Sequence, residues 1–343
     1  MVKQTLVEVR NLRKLYPVKG QFLSRRKEFI HSVDDISFSI KEGDTFALVG
    51  ETGSGKSTTG RMLARLVKPT SGAIFFEGKN VLKFKRQQMQ NFRRQVQMVF
   101  QDPFSSLNPR MKVGQIIGSP LRLDKVTTKS EARTRVLDVL ERVGLSPANN
   151  FIDRFPHEFS GGQRQRIGIA RALILKPKLI IADEPVSALD VSVRAQIINL
   201  MNELQKDFAL TYFFIAHDMS VVRHVSDTVA VMYLGKIVEM ALTKDLFENP
   251  LHPYTKALLS AVPIPDPTIQ RVRERLQGEL PSPINPPKGC YFNTRCPISQ
   301  TRCFSESPEL VEIEPDHYAA CHLVRPKMIF TQPPQGSQVA DTL

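Results

Sequence analysis

The chain has 343 residues, of which 41% are hydrophobic, and a formal net charge of +13. A chain of this length can bury a large core, and we expect more than one subdomain. No stretch approaches the ~20 consecutive apolar residues that a membrane-spanning helix needs. Residues 1–5 lack the apolar core of a signal peptide. The composition therefore excludes a membrane pore and predicts a protein that stays inside the cell.

The positive charge is compatible with two kinds of partner, nucleic acid and the surface of an anionic membrane. The basic residues are spread through short clusters such as 24–27 and 83–86, and no stripe of alternating basic and aromatic residues is present. This distribution is typical of a solvated surface and disfavours dedicated nucleic-acid recognition. We therefore expect no nucleic-acid partner.

The first motif in the chain is a phosphate-binding loop. It follows a short apolar run at 45–49, which is typical of a buried strand, and precedes a helix start at 57–63. Its glycines allow backbone N–H groups to turn toward phosphates, and the N-terminus of the helix attracts the same anions. Lys56 is predicted to neutralise the terminal phosphates and Ser57 to place its hydroxyl on Mg²⁺. The predicted phosphate-contacting residues are Gly50, Glu51, Thr52, Gly53, Ser54, Gly55, Lys56, Ser57 and Thr58.

A second motif lies at the end of a helix-rich stretch. Residues 5 to about 95 are predicted to alternate short strands with turns, whereas 101–163 is rich in helix formers, with a helix predicted over 130–140. Apolar and small residues recur at helical spacing over 164–172, so the polar motif before them is predicted to begin a helix. Such a helix N-terminus can bind a second phosphate surface. The motif consists of Ser160, Gly161, Gly162 and Gln163.

Strand-rich sequence returns over 179–239, where acidic and imidazole side chains follow apolar strands. Asp183 and Glu184 end one apolar strand, at the edge where ligands collect in parallel sheets. Asp183 is predicted to hold Mg²⁺ and Glu184 to orient water. His217 ends another apolar strand and can contact the γ-phosphate, although an isolated His is more often structural.

From about residue 5 to residue 240, these motifs together resemble the ATPase subunit of an ATP-binding cassette transporter. The resemblance implies an α/β fold, a P-loop ATP-binding cassette with a RecA-like core and an antiparallel β subdomain. It also implies a helical subdomain at about 101–165 that docks on membrane subunits. A small Cys-rich C-terminal extension follows the cassette.

The same resemblance implies roles for further residues. Tyr16 is expected to stack on adenine, although a lone Tyr in a strand is commonly a core or edge aromatic. Gln101 is expected to touch Mg²⁺ and to sense the membrane partner. Asp190 belongs to a loop that communicates between two ATP sites, and the motif that begins at Ser160 completes the site of a partner in a head-to-tail dimer.

ATP hydrolysis by such a cassette consists of positioning and electrostatic stabilisation. Lys56, Mg²⁺ and Ser160 of a partner are expected to hold the γ-phosphoryl group, while Glu184 and His217 orient the attacking water. Together with Gln101, these two are the predicted catalytic residues. We expect ATP binding to close the dimer and hydrolysis to reopen it.

The segments 249–259 and 280–287 resemble the C-terminal extension of dipeptide and oligopeptide importer ATPases, in particular the F-type ATPase of that group. The extension is predicted to cover 241–330, with a disordered polar tail at 331–343. The resemblance implies a heterodimer with a D-type ATPase subunit, two membrane permease subunits and an extracytoplasmic substrate-binding protein. It places the chain peripherally on the cytoplasmic face of the membrane. Peptide is the expected cargo, with sugar or nickel as alternatives.

All four cysteines lie within the last 54 residues. A cytoplasmic location argues against disulfides, and four thiols can form a complete first shell for a metal. The intervals of five, six and seventeen residues match neither common zinc modules nor the ferredoxin run, so spacing leaves zinc and iron–sulfur open. The family resemblance favours a 4Fe-4S cluster with a structural role. His317 and His322 are possible replacements for a thiolate. The predicted ligands are Cys290, Cys296, Cys303 and Cys321.

Two other classes of function use related sequences. ATPases of DNA repair or translation share the cassette, but they normally add a second cassette, a long coiled coil or an inserted zinc module, and none is visible. A regulatory subunit without activity would be expected to lack Glu184 or His217. Both are present, which favours an active transport ATPase.

Overall fold

The computed structural model of the chain describes residues 3–18, 28–123, 128–262 and 278–325. The predicted polar tail at 331–343 and the basic cluster at 24–27 lie outside the described residues. Nowhere in the described ranges is a helix long and apolar enough to span a membrane.

Within the described ranges, twelve strands form one sheet of four and one of eight strands. The strands are β1 (Thr5–Pro17), β2 (Phe29–Lys41), β3 (Thr45–Val49), β4 (Ser71–Phe76), β5 (Lys79–Asn80), β6 (Val96–Val99), β7 (Leu179–Asp183), β8 (Thr211–Ala216), β9 (Thr228–Tyr233), β10 (Lys236–Leu242), β11 (Val311–Glu314) and β12 (His317–Ala319). The α-helices are α1 (Lys56–Leu63), α2 (Arg86–Gln95), α3 (Pro103–Ser106), α4 (Val113–Gly118), α5 (Lys129–Arg142), α6 (Gly161–Leu173), α7 (Val191–Phe208), α8 (Met219–Val225), α9 (Thr243–Glu248) and α10 (Pro253–Ser260).

The smaller sheet is antiparallel, in the order β2-β1-β4-β5. The prediction of short strands over 5–95 is wrong for β1 and β2, which have 13 residues each. The pairing of β1 with β2 is interrupted by irregularities of the β-bulge type, which let a long strand bend without ending. Asn11 and Asp35 lie in these strands with positive φ values of 47° and 62°. The helix α2 was also not predicted, because Phe92 is its one buried side chain and the apolar stripe is therefore short.

The larger sheet positions the candidate site. Its order is β11-β12-β10-β9-β3-β8-β7-β6, and the strands from β9 to β6 are parallel. The strands β3, β7 and β8 are almost wholly buried, which explains their unbroken apolar sequence. Because these three neighbours are parallel, the residues that follow them meet at one edge of the sheet. Stacked rings of Phe38, Phe46 and Phe213 join the two sheets, with centroids 4.9–5.9 Å apart.

The helix-rich stretch contains α3, α4 and α5, which pack on α6. The helix predicted over 130–140 is confirmed as α5, and it begins at a cap in which Thr128 accepts a hydrogen bond from the Glu131 N–H. Its buried side chains are Val136, Val139 and Leu140, which follow the predicted spacing. The helix predicted after the second motif is confirmed as α6.

The C-terminal extension adds two strands to the larger sheet. The strand β12 pairs with β10, and β11 pairs with β12, all antiparallel. The sequence analysis did not predict these strands, which have only four and three residues. The larger sheet is therefore continuous across residue 240, where the cassette was predicted to end.

Candidate active site

The phosphate-binding loop connects β3 to α1 in a conformation that requires glycine. Gly55 has φ of 108°, and a Cβ added there would lie 2.1 Å from the carbonyl oxygen of Ser32. Gly50 has φ of 151°, and its Cβ would lie 2.1 Å from the carbonyl oxygen of Met232. At both positions a side chain is excluded by the close approach of neighbouring backbone, and the positive φ also favours glycine.

Lys56, at the start of α1, is buried with 4% of its surface exposed. Its Nζ donates hydrogen bonds to the carbonyl oxygens of Gly50 and Glu51, at 2.8 and 2.9 Å. Burial lowers the pKa of Lys56, whereas the nearby carboxylates of Glu184 and Asp183 act to raise it. The ammonium group is held inside the loop, where an anion would meet it together with the N-terminus of α1.

Ser57 and Asp183 form a polar pair at the same edge. The Ser57 hydroxyl donates to Oδ1 of Asp183 at 2.7 Å, and Asp183 is 2% exposed. Burial raises the pKa of Asp183, although the Ser57 hydroxyl opposes the shift. A carboxylate and a hydroxyl are the oxygen donors that Mg²⁺ prefers, so these two residues fit the ion predicted from the sequence.

Glu184 lies between the two other predicted catalytic residues. Its Oε2 accepts a hydrogen bond from Nε2 of Gln101 at 2.9 Å and lies 3.2 Å from Nδ1 of His217. The Glu184 backbone has a positive φ of 47°, and its N–H donates to the carbonyl oxygen of Ile215 at 3.0 Å. This bond to β8 fixes the turn after β7. Gln101 and His217, which are far from Glu184 in sequence, both contact the carboxylate that this turn presents.

The second motif lies at the N-terminus of α6. Ser160 caps the helix by accepting a hydrogen bond from the Gln163 N–H at 3.3 Å, and the Gln163 side chain accepts one from the Ser160 N–H at 3.0 Å. A Cβ on Gly162 would lie 2.4 Å from Cγ1 of Val193, so glycine allows α6 to approach α7 closely. Ser160 and Asp190, which caps α7, are both exposed.

Tyr16 lies on the smaller sheet, away from the residues that gather around Glu184. It pairs with Ile30 of β2 and is half-buried, and Nζ of Lys14 lies 4.7 Å from its ring centroid. Thr58, on α1, accepts a hydrogen bond from the Ser32 hydroxyl of β2 at 2.9 Å. This bond links the smaller sheet to the phosphate-binding loop.

Two residues of the C-terminal extension reach the loop and were missed by the sequence analysis. Arg295 donates two hydrogen bonds to the carboxylate of Glu51, at 2.9 and 3.2 Å. The hydroxyl of Tyr254 accepts a hydrogen bond from the Glu51 N–H at 2.9 Å. Glu51, predicted to contact phosphate, therefore has both its carboxylate and its N–H engaged by the extension. No local pattern marks these residues, because they lie more than 200 positions from the loop.

The four cysteines come together without forming a metal centre of recognisable geometry. Burial, with a smaller contribution from the other three thiols, raises the pKa of the Cys290 thiol to about 11, so all four thiols lie near one another. Among the described residues, which include every cysteine, no group of three or more His, Cys, Asp or Glu side chains is arranged to hold a metal ion. The expected 4Fe-4S cluster, or zinc in its place, thus has no support from the side-chain geometry.

The two histidines near the last cysteine are engaged elsewhere. His317 is 1% exposed, and its Nε2 lies 2.8 Å from Oε1 of Glu239, which is itself fully buried. His322 Nε2 lies 2.9 Å from the carbonyl oxygen of Glu306. Neither arrangement favours replacement of a thiolate by imidazole.

Comparison with protein families identifies two regions. Residues 33–187 match the ABC transporter family, and residues 238–303 match the C-terminal region of oligopeptide/dipeptide transporters. The first region contains the phosphate-binding loop, the second motif and the Glu184 turn. The second contains Tyr254 and Arg295.

Individual proteins match over most of the chain. The oligopeptide transport ATP-binding protein AppF of Bacillus subtilis is 53% identical over 94% of this chain and 98% of its own length. Among solved structures, cbiO1 from Clostridium perfringens, part of the transporter complex cbiONQ, is 29% identical, with a TM-score of 0.62 over 72% of this chain and 92% of that one. A dimeric post-hydrolysis structure of the ATP-binding cassette MJ0796, bound to ADP and Pi, is 28% identical, with a TM-score of 0.61. This match covers 69% of the present chain and 99% of the MJ0796 chain.

These similarities confirm the predicted α/β P-loop fold of an ATP-binding cassette. They also confirm the predicted likeness to peptide-importer ATPases, which extends into the second matched region. The chain belongs to the ABC transporter ATPases that carry the oligopeptide/dipeptide transporter C-terminal region, and it is an ATPase.

Proposed function

We propose that this chain hydrolyses ATP to power the import of peptides or related small solutes through a membrane transporter. The observation that carries the proposal is that Gln101 and His217 both contact the carboxylate of Glu184. Lys56 and Asp183 lie close to this group. The match to the peptide-transporter C-terminal region and the name of the Bacillus relative support peptide as the cargo. Sugar and nickel remain the alternative cargoes. Roles in DNA repair or translation are not favoured by these matches.

Binding of the triphosphate depends on the loop and on Lys56. The ammonium of Lys56 is already fixed by two carbonyl oxygens, so it contributes positive charge to the terminal phosphates with little reorganisation. Ser57 and Asp183 would hold Mg²⁺, which supplies neutralisation of the phosphate charge when bound. The remaining loop residues contribute N–H groups or hydroxyls, except that the Glu51 N–H already donates to Tyr254. Thr58 adds a contact to the phosphate chain.

Hydrolysis depends on the Glu184 turn. The carboxylate of Glu184 and the imidazole of His217 orient the attacking water, and Gln101 fixes the carboxylate by donating to Oε2, the same oxygen that His217 contacts. The side chain of Glu184 is 12% exposed, whereas that of His217 is 51% exposed. His217 is therefore open to solvent on the side from which a further protein surface could cover it.

The second ATP-contacting surface belongs to a dimer. Ser160, which is exposed, begins a helix N-terminus with Gly161, Gly162 and Gln163, and in a head-to-tail arrangement this terminus faces the phosphates of a partner cassette. The dimeric structure of MJ0796, which has the same fold, supports such an assembly. Asp190 lies at the start of α7, beside α6, where it can communicate between the two sites. Tyr16 stacks on adenine from the smaller sheet.

The partners follow from the family. A D-type ATPase subunit forms the heterodimer, two membrane permease subunits receive the helical region at about 101–165, and an extracytoplasmic binding protein delivers the solute. The chain acts peripherally on the cytoplasmic face of the membrane. The match of residues 238–303 to the C-terminal region of oligopeptide/dipeptide transporters supports this set of partners.

The cysteine cluster holds a 4Fe-4S cluster in this proposal, with zinc as the alternative. The proposal rests on the resemblance to importer ATPases and on the proximity of four thiols, although the described side chains are not arranged as a metal site. Anaerobic purification followed by iron, zinc and sulfide analysis tests the proposal. About four irons and four sulfides per chain, lost in Cys303→Ser, would support it, and a metal-free protein would contradict it.

The test of the ATPase roles is a comparison of two variants of the full chain. Glu184→Gln keeps the shape of the side chain, so we expect normal ATP binding and turnover lower by about 10²–10⁴-fold. Lys56→Ala is expected to lose ATP binding itself. Glu131→Gln, on the exposed face of α5, is a matched control that should change neither. Wild-type turnover in Glu184→Gln would remove Glu184 from its proposed role.

A further inference from the structure

We infer that the C-terminal extension positions the phosphate-binding loop, with Arg295 and Tyr254 acting through Glu51 on Lys56. We call Arg295 and Tyr254 the Glu51 clamp. The inference rests on the proposed role of the loop in binding phosphates. It assigns to the extension a part in ATP binding, in addition to any role in holding a metal.

The clamp grips Glu51 at two separate groups. Arg295 forms a bidentate pair with the carboxylate, and this geometry fixes the orientation of the side chain as well as its charge. The Tyr254 hydroxyl accepts a hydrogen bond from the backbone N–H of Glu51. Tyr254 is fully buried and the Arg295 side chain is 8% exposed, whereas the Glu51 side chain is 28% exposed, so water reaches the carboxylate only in part.

Glu51 in turn controls the position of Lys56. Two carbonyl oxygens receive the Lys56 ammonium, and one of them belongs to Glu51 while the other belongs to Gly50, the preceding residue. Rotation of the Glu51 backbone would move both acceptors. The extension therefore fixes the segment that aims Lys56, although it does not touch Lys56 itself.

The clamp is itself supported by a rigid aromatic cluster. The rings of Tyr233, Tyr254 and Phe292 pack with centroids 4.8–5.4 Å apart, and the Arg295 guanidinium lies 5.8 Å from the Tyr233 centroid. Tyr233 ends β9, which pairs with the strand that precedes the loop. The clamp is thus anchored to the same sheet as the loop that it holds.

Loss of the clamp should weaken ATP binding more than catalysis. In Arg295→Gln the Glu51 carboxylate keeps its negative charge without a partner, close to where phosphate binds, and the loop loses one support. A hydrogen-bonded pair with a charged group accounts for about a tenfold change in affinity. We therefore expect the Kd and KM for ATP to rise by about tenfold, with kcat within about twofold of wild type.

A double-mutant cycle separates positioning from general packing. ATP binding is measured on the full chain with a fluorescent ATP analogue for wild type, Arg295→Gln, Glu51→Gln and the double variant. If Arg295 acts through Glu51, its substitution has less than about a twofold effect once Glu51 is Gln. Multiplicative effects of the two substitutions would overturn the inference, because they would show that Arg295 acts independently of Glu51.

Two further variants guard against misfolding and non-specific effects. Arg295→Lys keeps the charge but loses the bidentate geometry, so we expect an ATP affinity between those of wild type and Arg295→Gln. Arg302→Gln removes an exposed arginine that pairs with Glu306 in the same extension, and it should leave ATP binding unchanged. Normal ATP binding in Arg295→Gln, alongside lost binding in Lys56→Ala, would refute the inference alone. Normal binding in Lys56→Ala would refute the loop assignment on which it rests.

Discussion

The nucleotide-binding core and the C-terminal extension reach the same site by different routes. In the core, Lys56 follows the loop after β3, Asp183 ends β7 and Glu184 comes directly after it, and the parallel order of the strands brings these residues together. The extension has short strands and many irregular segments, and it reaches the core through single long-range pairs such as Arg295 with Glu51. The core owes its geometry to backbone topology, whereas the extension depends on a few buried polar side chains.

Three such polar contacts dock the extension on the rest of the molecule. Besides the pair at Glu51, the Tyr291 hydroxyl donates to Oδ2 of Asp34 at 2.7 Å. The Glu239 carboxylate accepts hydrogen bonds from the backbone N–H groups of Leu251 and His252, and it also contacts His317. Asp34 and Glu239 are both buried. Removal of one partner would leave a buried carboxylate with fewer compensating contacts, so individual substitutions should have measurable effects.

The largest effect on stability is expected from the backbone of the core. Gly55→Ala places a Cβ 2.1 Å from the Ser32 carbonyl oxygen at a positive φ, so the free energy of unfolding should fall by about 3 kcal/mol or more. Gly53→Ala is the matched control, because Gly53 also has positive φ but no atom lies within 4 Å of its Cβ position. A loss of about 1 kcal/mol is expected there. Equal losses in chemical denaturation would contradict the role of close backbone approach.

The next effect concerns the response of the extension to acid. The pKa of His252 is lowered from 6.5 to about 4, chiefly by burial. The Glu239 carboxylate opposes this shift and the Lys256 ammonium adds to it. The unfolded chain therefore takes up a proton at His252 below pH 6.5, while the folded chain stays neutral there until about pH 4. This difference removes about 3 kcal/mol of stability as the pH falls across that range. His252→Asn should flatten this part of the stability profile, and an unchanged slope would contradict the assignment.

A smaller effect is expected at the sheet edge that the extension provides. His317→Ala removes the imidazole that contacts the buried Glu239 carboxylate, so the free energy of unfolding should fall by about 2 kcal/mol. His322→Ala removes a more exposed histidine from the same segment, and its effect should be within about 0.5 kcal/mol. Thermal unfolding of the two variants gives the comparison. Equal changes in the two would mean that the Glu239 contact contributes nothing measurable.

The sequence predicted the core of the site well because its motifs are local. Apolar runs followed by Gly50, Asp183 and His217 indicate buried parallel strands, and the cap at Ser160 indicates a helix start. These patterns need only a few neighbouring residues to be recognised. The resemblance to transport ATPases added Gln101, which the structure places 2.9 Å from Glu184.

The extension could not be predicted in the same way. Arg295 and Glu51 are 244 residues apart, and Tyr291 and Asp34 are 257 apart, so no periodic pattern connects them. The strands β11 and β12 are too short to show a clear alternation. The clustering of four cysteines and the family resemblance suggested a metal centre, but neither specifies the positions of the thiols in space.

The most direct test of the account is solute uptake by vesicles that contain the assembled transporter with this chain as one of its ATPase subunits. With a peptide as the solute and ATP supplied to the cytoplasmic face, we expect uptake that requires this chain. We also expect Glu184→Gln to abolish uptake while ATP remains bound. Peptide uptake that proceeds equally well with Glu184→Gln, or without the chain, would contradict the account.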